Sequence, residues 1–114
     1  MAIKPDPKRT HVRAVKVDAA AVEQALNPPD GEVGGLSAGV CWEAPGGELG
    51  FACPGCGRAG AIRVGNPKPD ETPSWLVKAG SVAEPGKLTL EPSINCKGCC
   101  GWHGYLIGGV FVCP

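Results

Sequence analysis

Histidine, aromatic side chains and net charge are all scarce in this 114-residue sequence. It contains two histidines, His11 and His103, its aromatic content is 5%, and its formal net charge is zero. A zinc deaminase needs a His-x-Glu motif ahead of its cysteine pair, and no such motif occurs. With so few histidines, a hydrolytic zinc site or a cysteine nucleophile lacks an evident general base. The loops GxGxxG and GxxxxGK[ST] are missing too. These absences predict a protein that is not an enzyme.

Long apolar runs are also missing. No segment approaches the ~18 apolar residues that a membrane-spanning helix needs, and the start, MAIKPDPKRT, is not an apolar signal segment. We therefore expect no secretion by a signal peptide, and thiols rather than disulfides.

Large aliphatic side chains are few for a chain of this length. Leu, Ile, Val and Phe together number 24, against 18 glycines and 12 prolines. Such a composition lies near the level at which a stable core is difficult to build. A structural metal would compensate, because zinc binding contributes on the order of 10 kcal/mol to the folding of small modules.

Cysteine, in contrast, is abundant, and its spacing is typical of a metal site. Cys53-Pro-Gly-Cys56 followed by glycine is a tight turn that presents two thiolates. The second turn has two registers, Cys96-x-x-Cys99 and Cys100-x-x-His103. We favour the latter, because Gly104 follows His103 as Gly57 follows Cys56 in the first turn, whereas Cys99 is followed by Cys100. The predicted zinc ligands are Cys53, Cys56, Cys100 and His103.

Alternatives to this ligand set stay open. Two disulfides would need an oxidising compartment, and seven cysteines are an odd number. Iron could replace zinc in an all-cysteine site. Four cysteines remain unassigned, and one of them could replace a ligand or lie beside the site as a neutral buried thiol. These are Cys41, Cys96, Cys99 and Cys113.

The first 17 residues form a basic arm with a charge of about +4, balanced by the rest of the chain. No aromatic side chain lies among these cations, which disfavours base stacking. The arm is expected to bind a partner protein or nucleic acid, the alternative being a solvated tail. The candidate partner-binding residues are Lys4, Lys8, Arg9, Arg13 and Lys16.

The remaining patterns predict a mainly β protein. We expect a strand within residues 10–17 and a short helix from Ala19 to Leu26, capped by Asp18. Glycine-rich turns predict two hairpins, 40–42 with 49–52 and 105–107 with 110–112, while residues 84–86 would form a turn between two further strands. Residues 1–17 are assigned to the arm, 18–50 to a helix with a Gly/Pro-rich segment, and 51–114 to a zinc-ribbon-like domain.

The order of motifs over residues 51–112 resembles a family of small phage and bacterial proteins, some of which are labelled ammonia monooxygenase. The matching elements are CPGC at 53–56, Trp75, the segment 88–94 with Pro92 and Ser93, Cys100-x-x-His103 and Gly109. The resemblance implies a zinc-ribbon-like fold and a phage or mobile-element origin, hence a location in the host cytoplasm or the virion. We expect a zinc-stabilised structural protein that binds partners, plausibly in virion assembly, or alternatively a nucleic-acid-binding zinc ribbon.

Overall fold

The computed structural model describes residues 5–27, 36–65, 74–96 and 100–114. Within these ranges the chain forms ten β-strands and one α-helix, which confirms the prediction of a small, mainly β protein with one short N-terminal helix. The elements are β1 (Val12–Arg13), β2 (Val15–Lys16), α1 (Ala19–Leu26), β3 (Val40–Ala44), β4 (Glu48–Ala52), β5 (Ala59–Ile62), β6 (Leu76–Ser81), β7 (Glu84–Glu91), β8 (Ile94–Asn95), β9 (His103–Ile107) and β10 (Val110–Val112).

The strands form two four-stranded sheets and one hairpin. The first sheet has the order β1-β10-β9-β8, the second has the order β2-β3-β4-β5, and β6 pairs with β7 alone. The strand predicted within residues 10–17 is in fact two short strands that join different sheets. Between them Ala14 is buried, and its N–H donates to the carbonyl of Gly109. Part of the basic segment is therefore built into both sheets.

Both hairpins predicted from glycine-rich turns are present. In β3–β4, Cys41 pairs with Phe51, and in β9–β10, Ile107 pairs with Val110. Gly108 and Gly109 form the second turn with φ values of 55° and 80°, which L-residues rarely adopt.

The turn predicted at residues 84–86 is wrong. These residues belong to β7. The chain reverses at residues 82–83, between Ser81 and Glu84, which pair with each other. Pro85 is fully buried, so its apolar ring is packed inside the fold rather than placed in a surface turn.

Aromatic and leucine side chains fill the core. Trp102 and Phe111 are fully buried, with ring centroids 6.0 Å apart in an edge-on arrangement, and Phe51 stacks on Phe111 with a centroid distance of 6.0 Å. Leu49 from the second sheet and Leu106 from the first join the same cluster. This core holds the two sheets together and buries Trp102 completely.

The short helix begins where the sequence predicts. The Asp18 carboxylate accepts a hydrogen bond of 2.7 Å from the backbone N–H of Ala21, and Val22 is the buried residue of the helix. Among the described residues, no helix has the length and apolar character needed to cross a membrane.

Candidate metal centre and candidate active site

Three cysteines from two separate turns lie together in a group that could hold a metal ion. The sulfur atoms of Cys53, Cys56 and Cys100 all lie within 4.8 Å of one another. The Sγ atoms of Cys53 and Cys100 are 3.6 Å apart. Two thiolates of a tetrahedral site with metal–sulfur bonds of about 2.3 Å would be about 3.8 Å apart, so the spacing fits a bound ion. Three of the four predicted ligands are thus brought together.

The first turn is shaped to hold its sulfur atoms. β4 ends at Ala52, and the N–H of Gly57 closes the turn on the carbonyl of Cys53 at 2.7 Å. The N–H of Gly55 points at the Cys53 sulfur, 3.4 Å away. A side chain on Gly55 would not fit, because a Cβ there would lie 2.5 Å from the Cys100 sulfur. The two turns therefore pack against each other through a glycine.

A fourth sulfur, that of Cys96, adjoins the group. A side-chain hydrogen bond with Cys96, together with burial, raises the pKa of the Cys53 thiol, and burial raises the pKa of Cys100. Two backbone hydrogen bonds hold Cys96 in place. The Cys96 N–H donates to the Trp102 carbonyl at 2.7 Å, and the Cys96 carbonyl accepts from the Gly101 N–H at 3.1 Å. The donor set is then all sulfur, the set that zinc or iron prefers. Cys99 lies outside the described residues.

His103, the fourth predicted ligand, lies outside this group. Side chains alternate between the two faces of a strand, and the preceding Trp102 points into the core. A Cβ on Gly55 would lie 3.1 Å from the Cβ of Trp102, so it is Trp102 that faces the turn of residues 53–57, called the metal turn below. His103 begins β9 on the opposite, exposed face.

On that exposed face, His103 meets a serine. Its Nε2 lies 2.8 Å from the Oγ of Ser93. Strand pairing explains the contact: Asn95 of β8 is opposite His103, and Ser93, two residues earlier, is the diagonal neighbour on the same face. Within the described ranges, Ser37, Ser74 and Ser81 make no such contact with a histidine, and the Ser74 hydroxyl donates to the Gly65 carbonyl instead. The arrangement matches a serine nucleophile beside a general base, for which hydrogen-bond distances of about 2.6–3.2 Å are expected.

The backbone of Ser93 is also held in place. The indole Nε1 of Trp75 donates a hydrogen bond of 3.1 Å to the Ser93 carbonyl. Trp75 lines an open groove of about 360 Å³, together with residues of β5 and β8. The Ser93–His103 pair therefore lies beside a groove that could admit another molecule.

The predicted partner-binding cations make contacts within the chain. The Nη1 of Arg9 donates to the carbonyls of Pro54 and Gly55, at 3.3 and 3.1 Å, and the Nζ of Lys16 donates to the Ala83 carbonyl at 2.9 Å. Arg9 thus supports the backbone of the metal turn. Lys8 and Arg13 are exposed, and Lys4 lies outside the described residues. Whether these cations bind a protein or nucleic acid stays a prediction.

The comparisons with known proteins bear on these two sites. The model of a family described as bacterial ubiquitination-like system serine protease (BubE) matches residues 32–113. The chain belongs to the BubE family. The match includes the three metal-site cysteines, Ser93 and His103. No curated protein and no solved structure shows a significant match to the chain.

The BubE match corrects the expectation that this protein is not an enzyme, because the family is described as a serine protease. The spacing Cys-x-x-His predicts a metal ligand at His103, but the alternation of side chains along β9 places His103 on the exposed face, outside the cysteine group. The imidazole therefore meets Ser93, a residue of the segment 88–94, instead of the cysteines. The sequence carries no signal for the contact between Ser93 and His103, because that contact depends on the pairing of Asn95 with His103 across β8 and β9. The phage origin and the virion role are not tested by the match and stay predictions.

Proposed function

We propose that this protein is a serine peptidase of a bacterial ubiquitination-like system, with Ser93 as nucleophile and His103 as general base. The observation that carries the proposal is the 2.8 Å distance between the Ser93 Oγ and the His103 Nε2. The family description supports the reaction class. Both residues lie within the matched segment, on one exposed face of the β8–β9 pair.

The chemistry that follows is acyl transfer. With Nε2 unprotonated, His103 accepts the Ser93 hydroxyl proton as Oγ attacks the carbonyl carbon of the substrate. The tetrahedral intermediate expels the amine, which takes the proton from the imidazolium, and leaves an ester on Ser93. Water, deprotonated by the same imidazole, then hydrolyses the ester and regenerates the hydroxyl. The reaction needs no ion at this pair of side chains.

The cysteine group has a separate, structural role in this proposal. We assign zinc to it, held by Cys53, Cys56 and Cys100 with Cys96 as the fourth ligand. A closed all-sulfur site has no open position for water, so the metal would supply folding free energy rather than a nucleophile. The ion would fix residues 96–102, the segment that connects β8 to β9. It would therefore hold β9, which carries His103, and β8, which directly follows Ser93.

A fluorophosphonate reagent tests the nucleophile without knowledge of the substrate. An activated serine displaces fluoride and gains a phosphonyl group, which intact-mass measurement and peptide mapping locate. We expect one label per chain on Ser93, no label on Ser93→Ala, and at least a 100-fold slower reaction for His103→Gln. Ser74→Ala is the matched control, since the Ser74 hydroxyl donates to the Gly65 carbonyl instead of meeting a histidine. A label on another residue, or none on the wild-type chain, would contradict the assignment.

A further inference from the structure

The groove beside the Ser93–His103 pair lies between the edge strands of two different sheets. β5 is the last strand of the order β2-β3-β4-β5, and β8 is the last strand of β1-β10-β9-β8. All four residues of β5 and residues 94–96 line the groove. Successive side chains of a strand point to opposite faces, so consecutive residues can line one groove only if the edge of the strand faces it. The walls of the groove are therefore backbone edges.

Hydrogen-bond register identifies the backbone groups that face the groove from β5. The N–H of Cys53 donates to the Arg58 carbonyl, so this opposed pair is hydrogen-bonded across β4 and β5. Hydrogen-bonded and non-hydrogen-bonded pairs alternate in an antiparallel ladder. Ala59 and Ala61, opposite Ala52 and Gly50, thus fall on non-hydrogen-bonded positions, and their N–H and C=O groups point away from β4.

The continuation of the chain agrees with this register. Arg63, two residues after Ala61, accepts a hydrogen bond of 2.9 Å from the Trp75 N–H on the same outer edge. Ala59 and Ala61 have no hydrogen-bond partner on that edge within the described part of the chain. They offer two sets of donor and acceptor groups about 7 Å apart, the repeat of an extended peptide.

The opposite wall has the same character. The N–H of Cys96 donates to the Trp102 carbonyl, which makes that pair hydrogen-bonded and leaves Asn95 with outward-facing N–H and C=O groups. Ser93, two residues earlier, has its carbonyl on this same outer edge, where Trp75 binds it. The nucleophile is therefore one strand repeat from the groove wall.

We propose that the groove binds the peptide substrate as an added strand, with its backbone paired to the outer edge of β5 at Ala59 and Ala61. The inference rests on the proposed peptidase function and specifies how that site selects its substrate. A volume of about 360 Å³ is near the lower limit for ligand sites of about 300–1,000 Å³, so only a short segment with small side chains fits. Among the described residues lining the groove, Arg58 alone is charged and none is acidic. The segment is thus extended and has small side chains, and its affinity comes from backbone hydrogen bonds.

A proline at position 61 tests the strand pairing directly. Ala61→Pro removes the outward N–H but leaves the β4–β5 ladder intact, since that N–H does not point to β4. Ala61→Ser keeps the N–H at similar size and is the matched control. The probe is a mixed library of peptides from a proteome digest, followed by kinetics on its most rapidly cleaved members. We expect Ala61→Pro to raise KM at least 10-fold, Ala61→Ser to change it less than 3-fold, and the cleaved peptides to have small residues beside the cut bond.

Fluorophosphonate labelling of Ser93 separates this inference from the peptidase assignment. Ala61→Pro should label at the wild-type rate, since the small reagent does not need the strand edge. Wild-type KM in a normally labelled Ala61→Pro variant would overturn strand addition and leave the nucleophile assigned. If the wild-type protein is an oligomer by native mass spectrometry and Ala61→Pro is a monomer, the outer edge of β5 pairs with a second copy of the chain. That result would also overturn strand addition by the substrate. A wild-type protein that neither reacts with the fluorophosphonate nor cleaves peptides would overturn the proposed function itself.

Discussion

The indole Nε1 of Trp75 donates a 3.1 Å hydrogen bond to the backbone carbonyl of Ser93. Trp75 directly precedes β6, and Ser93 follows β7, so the bond joins the open end of the β6–β7 hairpin to the residue proposed as the nucleophile. The same tryptophan lines the groove. In the proposed peptidase, this one side chain would connect substrate binding to the position of the Ser93 hydroxyl.

We expect Trp75→Phe to lower kcat about 10-fold with a small change in stability. The phenyl ring keeps the groove wall apolar, but the lost donor frees the Ser93 backbone, at a cost to folding of about 1 kcal/mol. Trp42→Phe is the control, because Trp42 lies in β3 and packs on Gly50 away from Ser93. Steady-state kinetics and thermal unfolding of both variants decide the matter. A lower unfolding temperature with unchanged kcat for Trp75→Phe would assign a packing role only.

Serine substitution of the clustered cysteines should remove the metal and destabilise the fold. Cys53→Ser, Cys56→Ser and Cys100→Ser are each expected to lower bound zinc well below one per chain and to cost several kcal/mol of unfolding free energy. Cys113→Ser is the control, since Cys113 is not in the cysteine group and its sulfur lies 3.9 and 3.8 Å from the carbonyl oxygens of Pro7 and Pro114. Elemental analysis and thermal unfolding give the readout. A Cys53→Ser protein with full metal content and wild-type stability would contradict the assignment.

Two variants with opposite expected results test whether Cys96 or His103 is the fourth ligand. Cys96→Ser should lose metal, because the Cys96 side chain adjoins the cysteine group through its hydrogen bond with Cys53. His103→Gln should keep its metal and lose fluorophosphonate labelling, because its Nε2 binds Ser93. Metal content and labelling are measured on the same samples. The reverse result, with zinc lost from His103→Gln and kept in Cys96→Ser, would restore the ligand set predicted from spacing.

We expect the free energy of unfolding to fall at alkaline pH because Cys41 is buried. Its side chain is fully buried, and burial raises its pKa from 9.0 to about 12. The unfolded thiol therefore ionises at lower pH than the folded one. The resulting stabilisation is complete below pH 9 and disappears as pH rises towards 12, with a magnitude on the order of 4 kcal/mol.

Urea unfolding of the wild-type protein and Cys41→Ala at pH 8 and pH 11 measures this effect. The stability advantage of the wild type should shrink at pH 11, since the alanine variant has no thiol to ionise. An equal advantage at both pH values would show that Cys41 is not buried as described.

Local signals in the sequence predicted the fold better than the site. The Asp18 cap and the Gly108-Gly109 turn fix local geometry through short-range sterics, and both elements occur where expected. The turn at residues 84–86 was wrong because tertiary packing buries Pro85. Local turn preferences carry no information on such long-range contacts.

The metal cluster and the serine–histidine pair differ in the same way. Cysteine spacing within one turn is a local signal, which explains why Cys53 and Cys56 were identified. The role of His103 depends on which face of β9 it occupies, and the burial of Trp102 decides this. The contact with Ser93 further requires the β8–β9 register, which is set by pairing across the metal-site segment. Neither fact can be obtained from the spacing Cys-x-x-His.

Cleavage of a proteome-derived peptide library tests the central claim most directly. The purified wild-type protein, Ser93→Ala and Ser74→Ala are each incubated with the library, and new peptide termini are counted by mass spectrometry. The account predicts new termini with the wild type and Ser74→Ala, and none above background with Ser93→Ala at unchanged metal content and melting temperature. Equal cleavage by a folded Ser93→Ala protein would contradict it.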